Sequence, residues 1–320
     1  MSGPSGTLRA LAPAKINLGL FLGPVRERDG RHELATVMQS ISLADELTLD
    51  AAQPGVEQDE VLCPGVPGLP EDNLAARALR EFRTATGWDG PPLRLSIEKR
   101  IPLAAGLAGG SADAAATLRL AQAASGIGNE ALLLEIATGL GADVPAQVSP
   151  GRWLAAGAGE RLEALPAPTL PFGVLILPGG FELSTADVYA EADRLGLARD
   201  AERLALLHDD LRAALATGAP LPAASELLHN DLQRAAVSLR PEIGQTLRLA
   251  AHAGGARALV SGSGPTVLGL FSRAGEEGLG LARLAAAGLA EQLPEPLCAV
   301  PVDAAFGRVV TVEPGDLPVG

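Results

Sequence analysis

Residues 101–121 read IPLAAGLAGGSADAAATLRLA, a run without histidine, cysteine or lysine that still has the order of a binding element. The segment before it, PLRLSIEKRI (92–101), alternates, with Leu93, Leu95, Ile97 and Lys99 on one side, and predicts a strand ending at Ile101. PLAAGLAGG is turn-like, Ser111 has the side chain of an N-cap, and ADAAATLRLAQAAS predicts a helix up to Gly126. A strand, a Gly-rich turn and a helix start present free N–H groups and roughly half a positive charge to an anion. Two readings fit this spacing alone: a phosphate cradle, or an Ala- and Gly-rich helix packed closely on a sheet.

The better-known cradles are excluded by the residues themselves. A Walker A loop needs Gly-Lys-Ser/Thr, and the only lysines lie in AKI and EKR. The dinucleotide fingerprint GxGxxG is absent, because Gly106 is followed by Leu107, Ala108 and only then Gly109. Neither SGSGPT nor GGSAD is a GxSxG nucleophile elbow. The four histidines, His32, His208, His229 and His252, are scattered, and HELAT is not HExxH, so hydrolase and metalloenzyme readings lose their support.

With 320 residues, 47% of them hydrophobic, the chain has room for two domains and a real core. Its longest apolar runs, such as FGVLILPGGF, are broken by Pro and Gly well short of the ~20 residues of a membrane span, so no membrane partner is expected. The start, MSGPSGTLRALAPAK, predicts a short tail rather than a signal peptide. Cys63 and Cys298, without CxxC spacing, suit a reducing cytoplasm and give neither a disulfide framework nor a zinc site. A net charge of -13 argues against a nucleic-acid partner and leaves an anionic small molecule held by a few placed cations and N–H groups. Of the 25 basic residues only Lys15 and Lys99 are lysines. A lysine supplies a compact point charge where an arginine supplies a planar fork, and both lie beside segments that suggest chemistry.

Upstream, AKINLGLFL (14–22) alternates, placing Ile16, Leu18, Leu20 and Leu22 on one face and Lys15, Asn17, Gly19 and Phe21 on the other. A turn at RERDGRH leads to a second extended run, ELATVMQSISLADELTLD. Asn73 is placed to cap a helix closed by Gly87, and another helix is predicted from about Asn129 to Gly139, before a loop and hairpin in 141–165. Past residue 166 a Pro-rich linker runs into a strand, and 185–217 and 225–252 read as helical, with a break at Gly196. ARALVSGSGPTVLGLF (256–271) then reads as strand, turn, strand. Strands and helices in two batches predict two α+β domains, 1–165 and 166–320.

PLAAGLAGGSADAAATL resembles the phosphate loop of the GHMP kinases, of the form Pro-x-x-x-Gly-Leu-x-x-x-Ser. APAKINLGL, DGRHEL, LGADVP, LSTADVYAEAD, NDLQ and LVSGSGPTVLGLF follow in unchanged order from about Pro13 to Phe271. Together they resemble the branch of that family acting on a cytidine-diphospho ester of methylerythritol in the non-mevalonate isoprenoid pathway. The resemblance implies a two-domain α+β GHMP kinase fold, with a ribosomal-protein-S5-like N-terminal domain, a ferredoxin-like C-terminal domain and the site between them. It implies ATP-dependent phosphorylation of the substrate's 2-hydroxyl. A kinase for another small alcohol, and a non-catalytic nucleotide-binding relative, remain as alternatives.

Position by position, the resemblance makes Lys15 and Asp143 the catalytic pair. ATP is expected along Pro102, Leu103, Ala104, Ala105, Gly106, Leu107, Ala108, Gly109, Gly110, Ser111 and Ala112, with Lys99 nearby and Mg²⁺ bridging phosphate oxygens, Ser111 being a candidate metal ligand. Asn17 and His32 are implied substrate contacts, His32 toward the cytosine, and Thr185 toward the methylerythritol end. Gly262, Ser263, Gly264 and Thr266 are implied in the cleft wall, while Asn230 and Asp231 read as packing or capping residues. Asp113, in the helix's first turn, is a dipole partner that has to turn away from phosphate or lie near the metal. Two departures stand out. Arg31 occupies the place of a tyrosine that stacks on the base in the family, and a guanidinium also stacks on flat rings. Ala104, Ala105, Ala108 and Ala112 stand where Gly or Ser is usual, so Ala108 either avoids positive φ or is strained.

Overall fold

The computed structural model describes residues 6–170, 172–219, 225–255, 257–273 and 276–312. The first residues of the expected N-terminal tail and the end of the 166–320 half lie outside the described residues. The first half forms β1 (Thr7–Val25), β2 (His32–Ala51), β3 (Glu60–Leu62), α1 (Leu74–Thr86), β4 (Leu93–Glu98), α2 (Gly109–Ser125), α3 (Glu130–Leu140), α4 (Val144–Val148), β5 (Arg152–Gly157) and β6 (Arg161–Leu165). β1 and β2 pair along almost their whole length. The far edge of β2 is shared: its first half pairs with β5 (Val37↔Leu154) and its second with β4 (Leu47↔Ile97). The sheet thus forks, and α1, α2, α3 and α4 cover one face of it around a core of Leu47, Leu49, Phe82, Leu95, Leu118 and Ile136.

Local chemistry explains the helix ends. Asn73 caps α1 by accepting from Ala75 N at 2.9 Å, and Gly87 closes it at φ 66. Asn129 caps α3 in the same way through Leu132 N. The start of α2 differs from the sequence expectation. Its cap is Ala108, at φ 56, and Ser111 is already the third helical residue without a capping bond. The left-handed turn at Ala108 brings its carbonyl within 2.9 Å of Ala112 N, so the ladder begins before the serine is reached. Ala112, Ala114, Ala115, Ala116 and Leu118 of α2 are buried against the sheet, so the close-packed Ala-rich helix and the Gly-rich helix start are two properties of one element.

Strand β1 also departs from simple alternation. Register shifts fall between Pro13 and Lys15 and between Asn17 and Gly19. The first adds two residues on β2 and keeps the alternation, whereas the second inserts a single residue into β1 and reverses which face the following side chains take. Ile16, Leu18 and Phe21 therefore share one core, whereas Leu20 and Leu22 join another.

The second half forms β7 (Gly173–Leu177), α5 (Thr185–Arg194), α6 (Ala201–Leu215), α7 (Gln233–Leu239), α8 (Pro241–His252), β8 (Arg257–Val260), β9 (Val267–Phe271), α9 (Glu276–Leu289) and β10 (Leu297–Ala299). The predicted long helix breaks at Gly196, φ 64, and the stretch 225–252 is a turn followed by two helices, with Pro241 opening the second. The antiparallel sheet has the order β10-β7-β9-β8, the fourth, first, third and second of its strands, with α9 crossing between β9 and β10. This is the ferredoxin-like arrangement. β7 is buried on both faces: Leu175 and Leu177 pack with Ala282 and Leu289 of α9, while Val174 and Ile176 share a core with Ile41 and Leu154 of the first sheet.

One connection crosses back. After β10, Ser42 N donates to Val300 O and Val302 N to Ser40 O, and β11 (Val310–Val312) pairs with the start of β1. The last described strand therefore belongs to the first sheet rather than to the 166–320 half. No described helix is long and apolar enough to cross a membrane, and both cysteines are free.

Candidate active site

A cleft of about 1000 Å³ opens between the two sheets. Lys15 and Asn17 line it, between the first two register shifts of the β1–β2 pair. Lys15 Nζ donates to Asn17 Oδ1 at 2.9 Å, and Asn17 Nδ2 donates to Thr36 Oγ1 at 2.8 Å, so a chain of bonds from β2 fixes the ammonium. Lys15 is 7% exposed. Asp143 stands at the start of α4 without making a capping bond, which frees its carboxylate to face the cleft, with Oδ2 3.6 Å from Lys15 Nζ.

The loop from Pro102 to Gly110 lines the same cleft, with Ala105 and Leu107 also rooted in the core beneath it. Ala104, Gly106 and Ala108 adopt φ of 51, 74 and 56. Left-handed residues at alternate positions curl successive N–H groups toward one concavity, the geometry of an anion-binding nest. The strain foreseen for Ala108 is present, and Ala104 shares it. Gly106 is irreplaceable on steric grounds as well, because an added Cβ would lie 2.6 Å from Gly264 O and 2.8 Å from Ser261 O. Lys15 N donates to Leu107 O, so loop, β1 and the 261–264 turn form one packed unit. Ser111 and Ala112 do not line the cleft, and the metal-ligand role expected of Ser111 has no geometric support.

Lys99 reaches the cleft wall but is committed elsewhere. Its Nζ contacts Asp45 and lies 2.7 Å from Asp113 Oδ2. Burial pushes the Asp113 carboxyl up to about 7, against the pull of Lys99 and with the help of the nearby Asp45 charge. Asp113 therefore turns away from the cradle concavity and toward Lys99. A second cavity of about 300 Å³ adjoins the cleft through Lys99, Leu103 and Gly110 and is walled by Val61, Cys63, Val66, Leu69 and Asn73. The sequence reading missed it, although the Pro- and Gly-rich run LCPGVPGLPEDN (62–73) is a long connection for a strand and a helix.

At the other end, His32 Nδ1 donates to Gly23 O at 2.8 Å, and its Nε2 lies 2.9 Å from Asp193 Oδ1 without hydrogen-bond alignment. Arg31 Nη2 donates to Ala158 O at 3.0 Å. Opposite stands Tyr189, the only tyrosine in the chain, its ring centroid 5.7 Å from that of His32. Burial, aided by Asp143, pushes its phenol up to about 12. Tyr189 was not singled out in the sequence; its rarity in a chain with 3% aromatic residues was the available signal. From the second sheet, Gly262, Ser263 and Gly264 line the cleft, and Thr185 Oγ1 is 2.9 Å from Ser263 Oγ. A Cβ on Gly262 would come 3.4 Å from Asn17 Oδ1 and 3.7 Å from Lys15 Nζ, so this turn closes over the Lys15 pair. Thr266 is fully buried and outside the cleft, contrary to expectation, because it closes the turn just before β9, where Ser261 N donates to its carbonyl at 2.9 Å. Asn230 donates to Val260 O and Gly262 O and Asp231 accepts from Leu22 N and Arg199, which makes both of them packing residues, as expected.

Comparison with known proteins gives this geometry a family. The model for the GHMP kinases N terminal domain matches residues 73–151, and that for the GHMP kinases C terminal matches residues 211–289. The 4-diphosphocytidyl-2-C-methyl-D-erythritol kinase of Salinispora tropica is 44% identical over 86% of this chain and 86% of its own. That of Mycolicibacterium gilvum is 42% identical over 85% and 84%. A crystal structure of 4-(cytidine 5'-diphospho)-2C-methyl-D-erythritol kinase superposes with a TM-score of 0.72 at 32% identity, over 92% of this chain and 98% of that one. A homoserine kinase from Cytophaga hutchinsonii shares the fold, with a TM-score of 0.70 at 18% identity over 96% and 98%. The chain belongs to the GHMP kinases and, within them, to the family of 4-diphosphocytidyl-2-C-methyl-D-erythritol kinases.

Proposed function

We propose that this protein transfers the γ-phosphoryl group of ATP to the 2-hydroxyl of 4-(cytidine 5'-diphospho)-2-C-methyl-D-erythritol. The observation that carries the reading is the Lys15–Asp143 pair, 3.6 Å apart, where the nest-like loop meets the open cleft. Asp143 accepts the hydroxyl proton as that oxygen bonds to the γ-phosphorus, while the bond from phosphorus to the bridging oxygen breaks and ADP leaves. Lys15, aimed by Asn17, stabilises the negative charge that develops on the attacking oxygen and the phosphoryl group. The N–H groups of the 104–110 loop and of the start of α2 hold the phosphates.

The adjoining cavity beside Leu69 and Asn73 has the size and apolar walls for the adenosine end. The cytosine lies by His32, between the Arg31 guanidinium and the Tyr189 ring, which together supply the stacking that a pair of aromatic rings would otherwise give. Thr185 and Ser263 face the methylerythritol portion. Mg²⁺ fits this site only as a phosphate-borne ion: among the described residues no group of three His, Cys, Asp or Glu side chains gathers to hold a metal. Mg²⁺ commonly binds through substrate phosphates, water and one or two carboxylates, and Asp143 is the carboxylate in place. When bound, the ion neutralises phosphate charge.

The test is turnover of ATP with the cytidine-diphospho substrate beside its uridine analogue and a panel of small alcohols, scored by ADP release and product mass. Selective phosphorylation of the cytidine compound is the expected result. Equal use of the uridine analogue would remove base recognition by the Arg31–Tyr189 pair, and preference for another alcohol would remove the substrate assignment. Nucleotide binding without any transfer would point instead to a non-catalytic relative.

A further inference from the structure

A phosphate ligand needs a free ammonium, and Lys99 does not have one. Its Nζ is enclosed by Asp45 and Asp113, with the lysine side chain 13% exposed and the carboxylates 0% and 4%. Two carboxylates against one ammonium leave the group no surplus positive charge to offer a phosphate. What the group does hold is backbone. Asp45 Oδ1 accepts from Arg100 N at 2.6 Å and from Ile101 N at 2.8 Å, the residues where β4 turns into the phosphate loop. Asp113 sits in the first turns of α2, where the loop ends. Lys99 therefore ties the anchor of the loop's entrance to the anchor of its exit.

The stretch between the anchors needs such a tie. Ala104 and Ala108 lie at φ 51 and 56, a left-handed region in which an L-residue's Cβ crowds the following carbonyl. Without restraint the loop relaxes toward negative φ and turns its N–H groups out of the nest. Gly109 makes room for the tie: a Cβ there would stand 3.4 Å from Lys99 Nζ and 3.1 Å from Ile101 Cγ2. Buried ion pairs are weak sources of net stability, and fixing register is their best-attested use.

We propose that Asp45, Lys99 and Asp113 form a brace that holds the phosphate loop in its N–H-presenting shape, and that Lys99 is a positioning residue rather than a phosphate ligand. The proposal rests on the loop being the ATP site. A double-mutant cycle on Lys99 and Asp113 tests it, with ATP KM, kcat, substrate KM and ADP affinity by calorimetry as readouts. Lys99→Met is expected to raise the ATP KM about tenfold and to leave kcat and the alcohol-substrate KM within about twofold. Asp113→Leu has the same effect, and in that background Lys99→Met adds less than about twofold. Asp113→Asn, whose carboxamide oxygen still accepts from Lys99 Nζ, stays within about threefold of the parent.

A direct phosphate contact predicts the reverse. Asp113→Leu then loosens Lys99, removes a negative charge and lowers the ATP KM, and Lys99→Met loses its full factor in either background; this result overturns the brace. Unchanged ATP KM and ADP affinity in every variant overturn it as well. If Asp113→Leu fails to fold, the cycle is run with Asp113→Asn and Lys99→Arg, where the brace predicts a larger rise in ATP KM for the arginine, whose planar fork does not fit between the two carboxylates, than for the asparagine. The unsubstituted enzyme's turnover tests the kinase reading separately, so the two can fail independently.

Discussion

Gly106→Ala isolates the packing between the loop and the second sheet. A methyl group there meets two backbone carbonyl oxygens, Gly264 O at 2.6 Å and Ser261 O at 2.8 Å, and neither belongs to a side chain that can swing away. The residue's φ of 74 adds the left-handed penalty of about 1–2 kcal/mol for an L-side chain. Overpacking against a fixed neighbour contributes about 1–3 kcal/mol more, so a loss of about 2–5 kcal/mol is expected, about 3–8 °C in thermal midpoint for a chain of this size. Relief requires the 261–264 turn to move off the loop, and Gly262 of that turn rests on Lys15 and Asn17. Activity should therefore fall together with stability. Gly110→Ala, four positions on, is the control, because an added Cβ there meets nothing within 4 Å. It lies inside α2, where exchange of Gly for Ala stabilises a helix by up to about 1 kcal/mol. Its penalty should appear only when phosphates approach, as a raised ATP KM in a protein at least as stable as the parent. Scanning calorimetry and ATP saturation kinetics on the two variants decide the matter. A stable, active Gly106→Ala, or a Gly110→Ala with unaltered ATP KM, would refute the packing argument or the cradle respectively.

Other outcomes follow from single contacts. Ala108→Gly releases the left-handed strain of about 1–2 kcal/mol, partly offset by about 0.4–1 kcal/mol of unfolded-chain entropy, so a small rise in thermal midpoint is expected and a fall would show the strain is absent. Asp143→Asn should lower kcat about 10²- to 10⁴-fold while ADP affinity holds; near-parental turnover with saturating substrates removes the base assignment. Tyr189→Ala should raise the KM for the cytidine-diphospho substrate by about tenfold or more, from the loss of about 1–3 kcal/mol of stacking, with the ATP KM unmoved, which steady-state kinetics can check. Asp231 is held below the usual carboxylate range: burial alone would raise it, but His229, Arg199 and the Leu22 N–H outweigh that. Its stabilising effect is fully present above its unfolded value near 4 and is lost as pH falls through the depressed folded value. Acid titration of Asp231→Asn should show a flatter loss of stability below about pH 4 than the parent, and identical slopes would contradict the linkage.

Much of the fold was legible because its cues are local. Asn73, Gly87, Asn129 and Gly196 act through their own backbone or a neighbouring N–H, and each bounds an element where the sequence indicated. Signals that depend on distant chain were not legible. The bulge between Asn17 and Gly19 arises from pairing with β2 and reversed the faces assigned to Leu20 and Phe21. The return of β11 to the first sheet depends on an edge left open by β1 some three hundred residues earlier. Ser111 had capping chemistry but lost the cap to Ala108, because the packed loop imposed a turn that an isolated segment would avoid.

The site divides along the same line. The sequence by itself determined which groups are available: a Gly-rich loop before a helix, two lysines among many arginines, and an aspartate before a short proline-containing helix, in an order that resembles the GHMP kinases. Tertiary structure decided what each lysine does. Lys15 and Lys99 carry the same ammonium, yet the bulged β1 sets one opposite Asp143 in the open cleft, while the end of β4 buries the other between Asp45 and Asp113. An ammonium's role is set by the charges within a few ångströms of it, and those come from chain segments far away in sequence.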